Sequence, residues 1–127
     1  MDKHIATASL LAREMLYTPM LRTRVACVLL GPGGEPIGSS TNSLRTHPLQ
    51  AKWSSRAGQP LRVRLHAEIG ALVRAKGEEP TTAIVVRVNK AGEFVKSYPC
   101  PICLGALHHF GCREIIYFNG VAFQKAV

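Results

Sequence analysis

A chain of 127 residues with 46% hydrophobic and 19% charged residues is one domain able to bury a proper core, which excludes a disordered chain. Sixteen basic against eight acidic residues give a formal net charge of +8, a balance that favours polyanionic partners. No run approaches the roughly 20 continuous apolar residues of a membrane helix. Met1-Asp2-Lys3-His4 also lacks the basic-then-apolar layout of a signal peptide, so a cytoplasmic protein without membrane contact is expected.

Ile5, Ala8, Ala12, Met15 and Leu16 recur at helical spacing over 4–17, and Thr18-Pro19 closes that helix. Val25 to Leu30 is a continuous apolar run, which predicts a strand buried on both faces. Gly31-Pro32-Gly33-Gly34 turns the chain, and Glu35 to Ser40 returns as a more exposed strand. Residues 41–64 show no clear period and hold Pro48, Gly58 and Pro60, so a long loop is predicted. Ile69, Leu72 and Val73 mark a helix over 66–76, ended near Gly77, and Ala83 to Val88 is a second buried strand. Asn89 to Gly92 reads as a turn, with Glu93 to Tyr98 extended after it. Pro99 opens a helix from about Cys100 to Phe110, stopped by Gly111. Glu114 to Phe118 is a third apolar strand, and Val121 to Val127 adds at most a stub. The order predicts an α/β domain, a mixed sheet with helices packed on its faces.

Two short motifs carry chemistry: His66-Ala67-Glu68 and Pro99-Cys100-Pro101-Ile102-Cys103, each at the start of a predicted helix. Cys100 and Cys103 are three apart and share a helix face. In a first turn their thiolates gain from the positive end of the helix dipole. With the imidazole of His66 they form a three-ligand nitrogen–sulfur set, which suits Zn2+ and leaves a fourth position open. Glu68 has no place in a purely structural site. It and His66 converge only at a helix end, where it can move protons to and from a water that zinc has acidified. A redox Cys-x-x-Cys pair leaves His66, Glu68 and Pro99 without roles. A structural zinc site wants a fourth ligand, for which Cys112, His108 and His109 are candidates. Cys27 lies in an apolar run and is most simply a buried small hydrophobe.

On these motifs the chain resembles the cytidine deaminase superfamily, whose signature is H-x-E followed by P-C-x-x-C. The resemblance covers nearly the whole chain and implies a single zinc-dependent deaminase domain over 1–127, an α/β/α sandwich whose mixed sheet combines an antiparallel N-terminal hairpin with parallel strands. It implies that His66, Cys100 and Cys103 bind zinc, that Glu68 shuttles protons, and that Ala67 and Cys100 offer backbone N–H groups to the base. Asn42, in Ser40-Thr41-Asn42-Ser43, matches an asparagine placed against the substrate sugar. Asn42 to His47-Pro48 and Pro-Cys-Pro-Ile-Cys look most similar to short phage and bacterial enzymes grouped with deoxycytidylate deaminases. His-Ala-Glu-Ile is shared with tRNA adenosine deaminases. Two departures stand out. About ten residues, Asn89 to Tyr98, separate strand from Pro99 where tRNA adenosine deaminases have a shorter link, and the chain ends soon after its last clear strand, where the family commonly has a further helix and strand.

Between Glu35 and Glu68 there is no acidic residue, while Arg45, Lys52, Arg56, Arg62 and Arg64 fall in that interval. They form either a solvated basic surface or a rim that contacts phosphate. His47 either lines the pocket or serves a turn, and Trp53 either stacks on a base or packs its segment onto the body. The leading expectation is hydrolysis of cytosine to uracil on a phosphate-bearing substrate, with single-stranded DNA slightly ahead of a free nucleotide. A nucleotide-pool cytidine or deoxycytidylate deaminase, a tRNA adenosine deaminase, and a catalytically silent nucleic-acid-binding module are the rivals.

Overall fold

The apolar run Val25 to Leu30 lacks polar alternation because helices cover both faces of the sheet in which it lies. The structure, a computed structural model, describes residues 2–18 and 20–127; Pro19, expected to close the first helix, lies outside the described residues. The strands are β1 (Arg24–Leu30), β2 (Pro36–Thr41), β3 (Thr82–Val88), β4 (Phe94–Val95), β5 (Glu114–Phe118) and β6 (Phe123–Ala126). Their order is β2-β1-β3-β5-β6, with β4 paired to β3 off that path. Among the described residues β3 and β5 form the one parallel pair, and the other pairings are antiparallel.

The helices are α1 (Asp2–Glu14), followed by a 3-10 turn, α2 (Pro48–Arg56), α3 (Ala67–Arg74) and α4 (Pro101–His109). Strand residues of one parity, Ala26, Val28, Ile84, Val86 and Ile116, meet Ala8 and Ala12 of α1. Residues of the other parity, Cys27, Leu29, Val85 and Ile115, meet Trp53 of α2, Ile69 and Leu72 of α3, and Ile102 and Leu107 of α4. The result is the expected α/β/α sandwich, one helix on one face and three on the other. No helix among the described residues is long and apolar enough to cross a membrane.

Three sequence expectations are corrected. The predicted loop over 41–64 contains α2, capped by His47, whose Nδ1 accepts from the Leu49 N–H at 3.0 Å, with Pro48 at the first helical position. Proline stops a helix from within but suits its first turn, where its missing N–H has no partner to lose. Of the extended stretch Glu93 to Tyr98, only Phe94–Val95 is strand. The C-terminal stub is a strand, β6, which completes the sheet beyond β5 from Ile115↔Ala126 to Phe118↔Phe123.

Helix α3 lies close on β2, and Gly38 permits it. A Cβ at Gly38 would stand 2.5 Å from the Ala71 carbonyl oxygen and 2.9 Å from the Ala75 nitrogen. Both are backbone atoms, so the helix itself would have to move. Gly38→Ala is expected to destabilise the fold by about 1–3 kcal/mol, the usual cost of overpacking, read as a lowered urea midpoint with unchanged slope.

Candidate active site

The residues of the two motifs sit where α3 and α4 begin, beside the carboxyl ends of the parallel pair β3 and β5. His66 is the N-cap residue of α3 and Cys100 that of α4, and neither side chain caps its own helix. Both side chains are therefore free to face one another. His66 Nδ1 lies 3.2 Å from Cys103 Sγ and 3.5 Å from Cys100 Sγ. The three ligand atoms lie within 4.8 Å of one another, and among the described residues no fourth His, Cys, Asp or Glu joins them. Cys112 is buried instead, its thiol donating to the Glu114 carbonyl oxygen, and His108 and His109 are exposed.

This set fits zinc. A tetrahedral ion with Zn–S of about 2.3 Å and Zn–N of about 2.1 Å places its nitrogen and sulfur ligands roughly 3.6 Å apart. Of the three groups, Cys100 is the one held towards its ligating, deprotonated form. The Cys103 thiol hydrogen-bonds Cys100 and His66 adds a second partner, which together overcome burial and bring the Cys100 thiol down to about 4. Cys103 moves the other way, pushed far up by its bond to Cys100 and by burial. The His66 imidazole is raised, chiefly by its hydrogen bond to Cys100. The two sulfurs thus share a proton, which a divalent cation would displace on binding. Cys27, fully buried nearby, is raised by burial and stays an inert thiol, as its apolar neighbours in sequence led one to expect.

Glu68, in the first turn of α3, is only 5% exposed, and burial raises its carboxyl above the ordinary carboxylate value. Together with His66, Ala67 and Cys100 it lines a cavity of about 390 Å³, within the usual range for small-molecule sites. Arg22, Arg62, Arg64, Arg87 and Lys96 line the same cavity, and among the described residues Glu68 is its one acidic lining residue. Asn42 lines it too, but its amide ties the end of β2 to the start of β1. Nδ2 donates to the Thr23 carbonyl at 3.0 Å and to Thr23 Oγ1 at 3.3 Å, and Oδ1 accepts from the Val25 N–H at 2.9 Å. Both donors are engaged, which leaves the second lone pair of Oδ1 as the free acceptor of this amide.

The structure moves two expected substrate contacts off this cavity. Trp53 is a core residue, with its ring against Gly105 and 5.0 Å from that of His109. His47 caps α2 and, with Arg45, lines a different depression bordered by β2. Lys52 and Arg56 are exposed on α2, the Arg56 guanidinium lying 4.9 Å from the centre of the Trp53 ring. Of the basic stretch only Arg62 and Arg64 reach the site.

Three contributors escaped the sequence reading. Gln50, fully buried in α2, accepts from the His66 N–H at 3.0 Å and donates to Ser54 Oγ at 3.0 Å; Ser54 in turn donates to the Arg62 carbonyl. One side chain thus orients both a metal ligand and the segment carrying Arg62. Ser97 donates to the Val85 carbonyl at 2.7 Å and accepts from the Phe118 N–H at 2.9 Å, fixing the approach to Cys100. Arg87 interrupts the apolar run Val85-Val86-Arg87-Val88, and a charge inside a buried strand was the signal available. Gln50→Leu leaves the His66 N–H without its acceptor. It is expected to cost about 1–3 kcal/mol of stability and to weaken zinc retention roughly 10- to 100-fold in a chelator competition.

The profile of the cytidine and deoxycytidylate deaminase zinc-binding region matches residues 1–119. The chain belongs to this family. The deaminase domain is also 32% identical over 126 residues, 99% of its length, to a tRNA(Ile)-lysidine synthase of Deinococcus deserti, and it spans about a fifth of that protein (20%). Among solved structures, a mutant cytidine deaminase from Mycobacterium tuberculosis aligns with a TM-score of 0.58 at 20% identity, over 95% of this chain and 86% of the other. The cytidine deaminase of Mycobacterium leprae aligns with a TM-score of 0.60 at 16% identity, over 95% and 88%. At these identities the two structures establish the shared fold.

Proposed function

We propose that this domain hydrolyses the exocyclic amine of cytosine, giving uracil, on a substrate that carries phosphate. The observation that carries this reading is the placement of Glu68 and the ligand residues His66 and Cys100 on the wall of one cavity ringed by five cations. His66, Cys100 and Cys103 would hold the zinc, which when bound supplies the Lewis acidity that brings a water's pKa to about 7. Glu68 would take a proton from the attacking water and deliver protons to the ring nitrogen and the departing amine. A C–O bond forms at the ring carbon, the C–N bond breaks and ammonia leaves. Backbone N–H groups of Ala67 and Cys100 hold the base, Asn42 the sugar, and Arg62 and Arg64 the phosphate. A buried carboxylate in the cavity has no use in a silent nucleic-acid-binding module.

The identity to a tRNA(Ile)-lysidine synthase favours a second reading, deamination of adenosine or cytosine within tRNA. Cytidine, deoxycytidylate, adenosine, a single-stranded DNA oligonucleotide and a tRNA anticodon hairpin, each incubated with zinc-loaded protein, separate the two. Conversion of deoxycytidylate or the DNA strand, with cytidine slower, is expected. Conversion of the tRNA hairpin alone would replace the first reading by the second.

A further inference from the structure

Next to the catalytic cavity lies a second cavity of about 410 Å³. Arg22, Thr23, Arg87 and Lys96 line both, so the two are neighbours that share these side chains. Arg24 and Lys90 line only the second, which among the described residues has five cations and no acidic residue in its wall. Neither Glu68 nor any zinc ligand reaches it.

Arg24 is the unusual member. It opens β1 opposite Val88, is 7% exposed, and its Nε is buried without a hydrogen-bond partner. Among the described residues the one ion pair joins Lys125 and Glu114 at 3.6 Å, so no carboxylate there balances these five cations. A largely buried arginine beside four further cations favours an anion in this cavity, and phosphate matches the guanidinium fork.

We infer that this second cavity is a phosphodiester subsite, and that the substrate is a single-stranded polynucleotide. Its target base enters the catalytic cavity while a neighbouring backbone phosphate lies against Arg24 and Lys90. The inference rests on the deaminase reading above. Arg62 and Arg64, on the catalytic cavity, already serve the phosphate of the target nucleotide. A further cationic cavity, built around a buried arginine and remote from the reacting atoms, serves a ligand with a second phosphate. A single strand is required because a base within a duplex is stacked and paired away from such a pocket.

Lys90→Glu is the direct test. Lys90 is exposed in the β3–β4 turn, and Asn89, which accepts from the Ala91 and Glu93 N–H groups, keeps that turn intact. Two quantities are measured on the zinc-loaded protein. One is binding of short single-stranded DNA and RNA oligonucleotides with one cytosine across a salt series; the other is kcat/KM for deoxycytidylate. Binding of at least one strand type is expected to weaken roughly tenfold at low salt, with a salt slope smaller by about 1. Turnover of deoxycytidylate is expected to stay within about twofold. Unchanged binding of both strands, or an equal fall for deoxycytidylate, would overturn the inference. If the wild-type chain deaminates nothing, the deaminase reading fails, while the binding series alone decides the subsite.

Discussion

Glu68→Ala is expected to lower turnover by roughly 10³- to 10⁴-fold, near the upper end of what a positioned acid–base group contributes, while the protein keeps its zinc. The expectation follows from position. Glu68 lines the cavity beside His66 and Cys100 but is absent from the ligand cluster of His66, Cys100 and Cys103. Removing its carboxyl leaves the ion's three ligands in place and takes away the one acidic group in the cavity wall. The measurement pairs single-turnover rates with metal content by atomic emission. A variant that deaminates at the wild-type rate would show that another group carries the protons. Loss of zinc along with activity would make Glu68 a structural residue.

Cys103→Ala is expected to abolish turnover by a different route, loss of the ion, with a fall in thermal stability. Cys103 is fully buried on α4, in contact with His66 and Cys100, and holds the third ligand atom of a set with no spare. An ion bound at about a thousand times its Kd stabilises the folded state by about 4 kcal/mol, worth roughly 10 to 20 °C in a domain of this size. Chelator should therefore lower the Tm of the wild-type protein towards that of the variant and leave the variant's own Tm unmoved. Zinc retained at one equivalent in Cys103→Ala would contradict the ligand set.

The sandwich was legible because its signals are long and redundant: three apolar strand runs, and helix starts marked by His66 and by Pro99-Cys100. The metal ligands were legible because their chemistry needs fixed residue types at fixed spacing. Helix α2 was not, because its buried positions are Gln50, Trp53 and Ser54. Two of these are polar and act through hydrogen bonds, so no apolar period records the helix. Strand β6 escaped for a related reason: with its middle residues Gln124 and Lys125 exposed at the sheet edge, its sequence carries little strand pattern. The basic stretch misled in part, because charge in sequence does not say which side chains share a cavity. Arg62 and Arg64 reach the site, whereas Arg45 and Arg56 lie elsewhere. Arg22, Arg87 and Lys96, scattered over the chain, are brought together by the ends of β1, β3 and β4.

We propose that this domain hydrolyses a cytosine amine, with His66, Cys100 and Cys103 holding zinc and Glu68 moving protons. The most direct test is mass spectrometry of deoxycytidylate and a cytosine-containing oligonucleotide after incubation with zinc-loaded protein in ¹⁸O-labelled water. Release of ammonia and one solvent oxygen in the uracil product is expected, an increase of about 3 Da in labelled water and about 1 Da in ordinary water, with neither change in Glu68→Ala. No conversion of either substrate by protein shown to hold zinc, or equal conversion by Glu68→Ala, would contradict it.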